Sequence, residues 1–170
     1  ENFNKQLAEF IDGSPTPFHA VANIASLLLE AGFQVLSESE DWTLKQGEKY
    51  FVTRNGSSII AFVAGSEDLA ESGIRMAGAH TDSPCLMVKP QPEMLNNKYF
   101  QLGVEVYGGA LLNPWFDRDL SLAGRLVYSD VSGQLKQKLV NFDEAIAIIP
   151  SLAIHLDRTA NKDRTINSQT

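Results

Sequence analysis

Two short apolar runs on either side of an Asn-Gly pair constrain this chain more than any other feature. "KYFVTR" (49–54) and "SSIIAFVAG" (57–65) flank Asn55-Gly56. From residue 48 the apolar period is two, and Asn-Gly is the pair that most strongly favours a tight hairpin turn, because both residues accept positive φ. Asn55-Gly56-Ser57 also fits a glycosylation acceptor, but with no secretory signal in view the turn is the better reading. Upstream the period is helical. Phe3, Leu7, Phe10 and Ile11 fall on one face of a helix over 3–11, and "DGSPTP" breaks it. A second helix follows through "FHAVANIASLLLEAGF", with Thr16 as N-cap, Pro17 in the first turn and Gly32 as the stop. "GIRMAGAHT" (73–81) reads as a short buried strand of the kind found inside α/β sheets. Helices mixed with strands in this way predict a layered α/β unit.

After residue 88 the texture changes. "KPQPEMLNNK" (89–98) is rich in proline and asparagine and reads as a boundary. Beyond it lie strand-like stretches, "YFQLGVEVYGG", "LAGRLVYSD", "LKQKLVNF" and "AIAII", with "DVSG" (130–133) as turn chemistry between two of them. The expected organisation is an α/β unit over 1–92 and a mostly β unit over 93–170.

A formal net charge of -7 argues against a nucleic-acid binder, which needs clustered Lys and Arg. At 170 residues, 44% hydrophobic and 21% charged, the chain is of the folded, globular kind. No apolar run is long enough to cross a bilayer; "AIAII" stops at Pro150. One cysteine, Cys85, leaves no intrachain disulfide and no cysteine-rich zinc module, and a single thiol fits a reducing compartment. The polar start "ENFNKQ", without an initiator Met, and the ending "TINSQT" lead to the expectation of a processed, trimmed or partial chain.

Three places hold residues capable of chemistry. His80 and Asp82 stand two apart, a spacing that sends both side chains to one face of a strand, at its carboxyl end where α/β sheets place ligands. Asp82 could hold a ring nitrogen of a metal-binding imidazole or orient a base. Spacing alone leaves metal or catalytic chemistry and a hydrogen-bonded structural pair both open. In "NPWFDRDLSLAGR" (113–125), Asp117 and Asp119 flank Arg118, which favours a structural carboxylate–guanidinium cluster over a metal pair. Trp115 and Phe116 read as core or interface anchors, and Gly108-Gly109 mark a turn or close approach. His155, in "IPSLAIHLDR", and His19, early in the second helix, both read as structural from pattern alone. No G-x-S-x-G elbow or phosphate-binding glycine loop occurs, and Cys85 lacks a cationic neighbour to make a thiolate.

Taken together, "SPTPFHAV" (14–21), "KYFVTRNGSSIIAF" (49–62), "GAHTDSPCL" (78–86), "QLGVEVYGG" (101–109), "WFDRDLSLAGR" (115–125) and "IPSLAIHL" (149–156) resemble, in order, the motifs of the M18 family of metalloaminopeptidases, the aspartyl aminopeptidases and their bacterial relatives. The resemblance runs almost end to end. It implies part of a zinc-peptidase (phosphorylase/hydrolase-like) α/β catalytic domain over 1–92, followed by an incomplete, mostly β dimerisation domain over 93–170. It further implies a cytoplasmic exopeptidase with two zinc ions per full-length subunit, removing one residue, acidic in several members, from a peptide's N-terminus. His80 maps onto the zinc-binding histidine of the family's H-T-D motif, and Asp82 onto the catalytic aspartate that orients the metal centre and its glutamate base. His155 maps onto a histidine that reaches a neighbouring subunit's site and contacts substrate, with zinc ligation as a second role. His19, Asp117 and Asp119 gain no functional role.

The resemblance also implies homo-oligomers, dimers building a tetrahedral dodecamer, with peptides as substrates and no nucleic-acid or membrane partner. Family members are more than twice as long as this chain. Their remaining metal ligands and general base lie beyond the matched stretch, while two zinc ions need about seven or eight ligand bonds. The chain alone is therefore expected neither to bind zinc stoichiometrically nor to cleave peptides. Two other readings stand beside this one: a related co-catalytic metallopeptidase of different residue preference, and a catalytically inactive oligomerisation or regulatory module.

Overall fold

The computed structural model describes residues 2–163 and 165–166. Helices α1 (Asn2–Asp12) and α2 (Pro17–Glu30) open the chain, followed by β1 (Gln34–Leu36), β2 (Lys49–Arg54) and β3 (Ser58–Val63). A one-turn helix α3 (Leu69–Ser72) precedes β4 (Cys85–Asn96) and β5 (Tyr99–Tyr107); a 3-10 turn at Asn113–Trp115 precedes β6 (Ala123–Ser129) and β7 (Leu135–Asn141). The strands form three separate sheets: β1-β2-β3, β4-β5 and β6-β7. β1 runs parallel to β2, and the other pairs are antiparallel.

Two compact units result. The first comprises Glu1–Asp82 and Ala123–Asn141; the second comprises Ser83–Leu122 and Phe142–Thr170. The β6-β7 hairpin thus falls in one unit with the N-terminal helices and the first sheet, with β6 against α2, although it lies beyond residue 92.

The core of the first unit is small: Ala20 and Val21 of α2 against Tyr50, Phe51 and Val52 of β2. α2 starts as its sequence dictates. Thr16 is extended and caps the His19 amide, and Pro17 needs no amide partner at N1. Gly32, at φ +81°, turns the chain out of the helix. The Asn55-Gly56 turn forms as expected, with φ +53° and +62° and closure from the Ser57 amide to the Arg54 carbonyl at 3.1 Å. In α1 the apolar stripe exists, but Phe3, Leu7 and Ile11 are exposed and only Phe10 is half-buried.

Three expectations require correction. "GIRMAGAHT" forms no strand: residues 73–84 carry no regular structure, and Ile74 and Met76 are exposed. A buried strand needs a ladder partner, and neither edge of the β1-β2-β3 sheet takes this segment. "KPQPEMLNNK" is not a boundary but the middle of the β4-β5 ribbon, turned at Asn97-Lys98, both with positive φ. Its two prolines are tolerated because the register shifts between Val88 and Glu93, the kind of irregularity where strand prolines are admitted. "AIAII" is not a strand either. It contributes only isolated bridges, Leu120 to Ala147 and Phe116 to Ile149.

Among the described residues, no helix is long and apolar enough to cross a membrane.

Candidate functional site

The His80 segment reaches its place through a run of exposed chain. Every residue from 65 to 80 is exposed; Thr81 and Asp82 are the first to tuck in. The imidazole Nδ1 of His80 lies 2.8 Å from the Asp82 main-chain carbonyl and 3.2 Å from its carboxylate Oδ1. A carbonyl oxygen only accepts, so Nδ1 carries the proton, and in the neutral imidazole this leaves Nε2 with its lone pair. The His80 side chain is 81% exposed, and Nε2 is open to an incoming ligand. A histidine that ligates a metal also has its second nitrogen donating to a carbonyl or carboxylate that fixes ring and tautomer, so this geometry is compatible with ligation. The sequence expectation that both side chains share one strand face is replaced by a local turn of irregular chain that brings them together directly.

His155 belongs to the second unit. It sits exposed in a turn over 154–156, closed by the Leu156 amide on the Ala153 carbonyl at 2.8 Å. What holds its segment is the motif upstream. Asp117 has φ +55°, a conformation uncommon outside glycine but tolerated by Asp. Its amide donates to the Ile149 carbonyl at 2.9 Å, and its Oδ1 accepts from the Ser151 amide at 2.8 Å. The motif 115–120 is therefore a clamp on 147–151, four residues ahead of His155. The expected carboxylate–guanidinium cluster is not a buried one: Asp117, Arg118 and Asp119 are all exposed, and Asp117 bonds the backbone of 149–151. Gly108, at φ +69°, turns the end of β5 against Pro84, the close approach its sequence promised.

The remaining candidates are structural. His19 Nδ1 lies 2.7 Å from the Thr16 hydroxyl at the start of α2, and partial burial holds its pKa below the ordinary imidazole value. Burial pushes the Cys85 thiol up, away from thiolate chemistry, as its neighbours led one to expect. Sequence reasoning missed Thr81, whose hydroxyl donates to the Ser57 carbonyl at 2.8 Å. The one signal available was its position between the two candidate residues.

A zinc site tests the donors further. His80 fits as one ligand by its tautomer and exposure. Among the described residues, however, no group of three or more His, Cys, Asp or Glu side chains stands close enough to hold a metal ion. The donors present supply one vertex of a four-coordinate site.

The described residues form a small α/β frame that carries an exposed imidazole at a loop end. Comparison with known proteins supplies the assignment. A family model described as "Aminopeptidase I zinc metalloprotease (M18)" matches residues 10–170. A "Probable M18 family aminopeptidase 2" of Stutzerimonas stutzeri is 56% identical over 169 residues, 99% of this chain and 39% of the relative. Among solved structures, that of the Ape4 and Nbr1 complex matches with a TM-score of 0.89 and 46% identity, over 94% of this chain and 31% of the other. The mApe1 dodecamer of S. cerevisiae matches with a TM-score of 0.80 and 34% identity, over 91% and 37%. The chain belongs to the M18 family of zinc metalloproteases. It spans about two fifths of the length of the curated relatives it matches.

Proposed function

We propose that this chain forms the N-terminal part of a zinc-dependent aminopeptidase subunit that removes the first residue, acidic in several members of the family, from cytoplasmic peptides. The observation that carries the reading is His80, with Nδ1–H committed to Asp82 and Nε2 presented, inside an M18 chain. In this reading His80 ligates one of two zinc ions, and Asp82 fixes its orientation. His155 contacts substrate or metal at a neighbouring subunit's site. The zinc centre supplies, when loaded, polarisation of the scissile carbonyl and an activated water. The remaining ligands and the general base come from sequence outside these 170 residues, so the chain alone neither holds zinc stoichiometrically nor turns over peptides. Similarity to the mApe1 dodecamer supports assembly of the full subunits into a dodecamer built from dimers.

The test is His80→Ala in the full-length protein, read by zinc content, peptide hydrolysis and assembly size. Zinc and activity collapse while assembly persists if the reading is right; unchanged zinc and turnover would sink it. A second reading, an inactive oligomerisation module, draws on the exposed apolar tip of the β4-β5 ribbon, Leu95, Tyr99 and Phe100. Under the first reading a ribbon-tip variant that no longer assembles loses activity, because His155 no longer reaches a neighbouring site; under the second there is no peptide hydrolysis to lose.

A further inference from the structure

We propose that Thr81 is a positioning residue for His80, acting through a single hydrogen bond to the β2-β3 turn. The inference rests on the metal-ligand reading of His80 and deepens it. It adds a device that holds a ligand borne on a loop without regular structure.

Residues 73–84 belong to no helix or strand, so no backbone ladder fixes the His80 ring. A ligand that moves with a loose loop loses the advantage of a preset tautomer, because metal binding then has to order the loop as well. Thr81 is where the loop docks. It is the first half-buried residue after sixteen consecutive exposed positions, 65–80, and its hydroxyl donates to the Ser57 carbonyl at 2.8 Å. The bond spans 24 residues of sequence and closes the excursion that leaves the end of β3 and returns to the turn at its start. With Thr81 pinned, His80 and Asp82 lie on either side of a fixed point, and the Nδ1–H to Asp82 carbonyl bond closes across it.

The acceptor end is firm. Ser57 belongs to the Asn55-Gly56 turn, which its own hydrogen bond closes. Arg125 of β6 braces the same turn: Nη1 donates to the Asn55 carbonyl at 2.7 Å and to its side-chain oxygen at 3.0 Å. The guanidinium stacks over the Phe18 ring of α2 at 4.0 Å. Asn55 thus receives the brace and Ser57, two residues on, receives the loop. The turn that dominates the sequence pattern is a mounting point for the H-T-D segment as well as a hairpin.

The test compares Thr81→Val, which keeps shape but not the hydroxyl, with Thr81→Ser, which keeps the hydroxyl. The readouts, in the full-length protein freed of metal by chelation, are the imidazole nitrogen shifts of His80, at about pH 8 where an ordinary imidazole is neutral, and amide exchange at 80–82. Thr81→Val is expected to speed exchange at 80–82 roughly fivefold, the worth of one net hydrogen bond. It should also shift His80 from the Nδ1–H tautomer towards the mixture of a free imidazole. Amides of β2 and β3 should stay unchanged, and Thr81→Ser should restore both signatures. Unchanged tautomer and exchange in Thr81→Val would overturn the proposal, as would equal loss in Thr81→Ser. The underlying reading fails separately, if His80→Ala leaves zinc content unaltered in the full-length protein.

Discussion

The two histidine-bearing segments are held by opposite means. His80 rides on a loop with no regular structure, docked by the Thr81 side-chain hydroxyl on a tight turn. His155 follows a segment clamped by main chain: reciprocal bonds between Asp117 and 149–151, and two isolated bridges. A side-chain tether fixes one point and leaves the flanking residues to turn about it. A backbone clamp fixes a length of chain but stops four residues short of His155. Under the proposed function, the first arrangement suits a ligand whose ring must be aimed, and the second a residue carried to its target by a placed segment.

The largest effect expected of any variant is on function. His80→Ala in the full-length protein should cost at least about 100-fold in peptide hydrolysis, with loss of bound zinc, whereas a structural histidine would cost stability alone. Next comes the clamp. Asp117→Val removes the acceptor for the Ser151 amide and forces a β-branched residue into positive φ, costing about 2 kcal/mol in denaturant unfolding of the second unit. Asp117→Asn keeps both the acceptor and the tolerance of that backbone and should be nearly neutral. If the two variants behave alike, the clamp is not what holds the segment.

Arg125→Ala should cost about 1–2 kcal/mol by removing the turn brace and the stacking on Phe18. It should loosen amides at 55–57 and, through Ser57, those at 80–82, while leaving 147–151 unaffected. Thr16→Ala should cost about 1 kcal/mol by uncapping α2. The smallest effect is that of pH. His19 has a lowered folded pKa, so the unfolded chain takes up its proton first. That contribution to stability is intact above the ordinary imidazole value, about 6.5, and declines as pH falls below it. His19→Gln should flatten the slope between about pH 7.5 and 5.5 relative to the parent.

What the sequence revealed followed local chemistry. The N-cap at Thr16, the Asn55-Gly56 turn and the Asp130 turn all formed where their residues demanded. At the last of these, Asp130 accepts from the Ser132 and Gln134 amides and the Ser132 hydroxyl, which hold its carboxyl below the usual range. Readings that depended on partners went astray. "GIRMAGAHT" has the composition of a buried strand but pairs with no neighbour among the described residues. Pro90 and Pro92 look like breakers until the register shift accommodates them. The pairing of His80 with Asp82 was legible as spacing, yet its form, a side chain on the next-but-one carbonyl, required the loop geometry. Thr81 and Asp117 were invisible as positioning groups because their partners, Ser57 and 149–151, lie 24 and more than 30 residues away.

The central claim is that His80 stands preset as a ligand, with its proton on Nδ1 and Nε2 bare. Nitrogen-15 spectra of the imidazole in this chain, at about pH 8, measure it directly. The account predicts a dominant Nδ1–H tautomer for His80, with a coupling that places the proton in a hydrogen bond to Asp82. A dominant Nε2–H tautomer, the ordinary form of a free histidine, would contradict it.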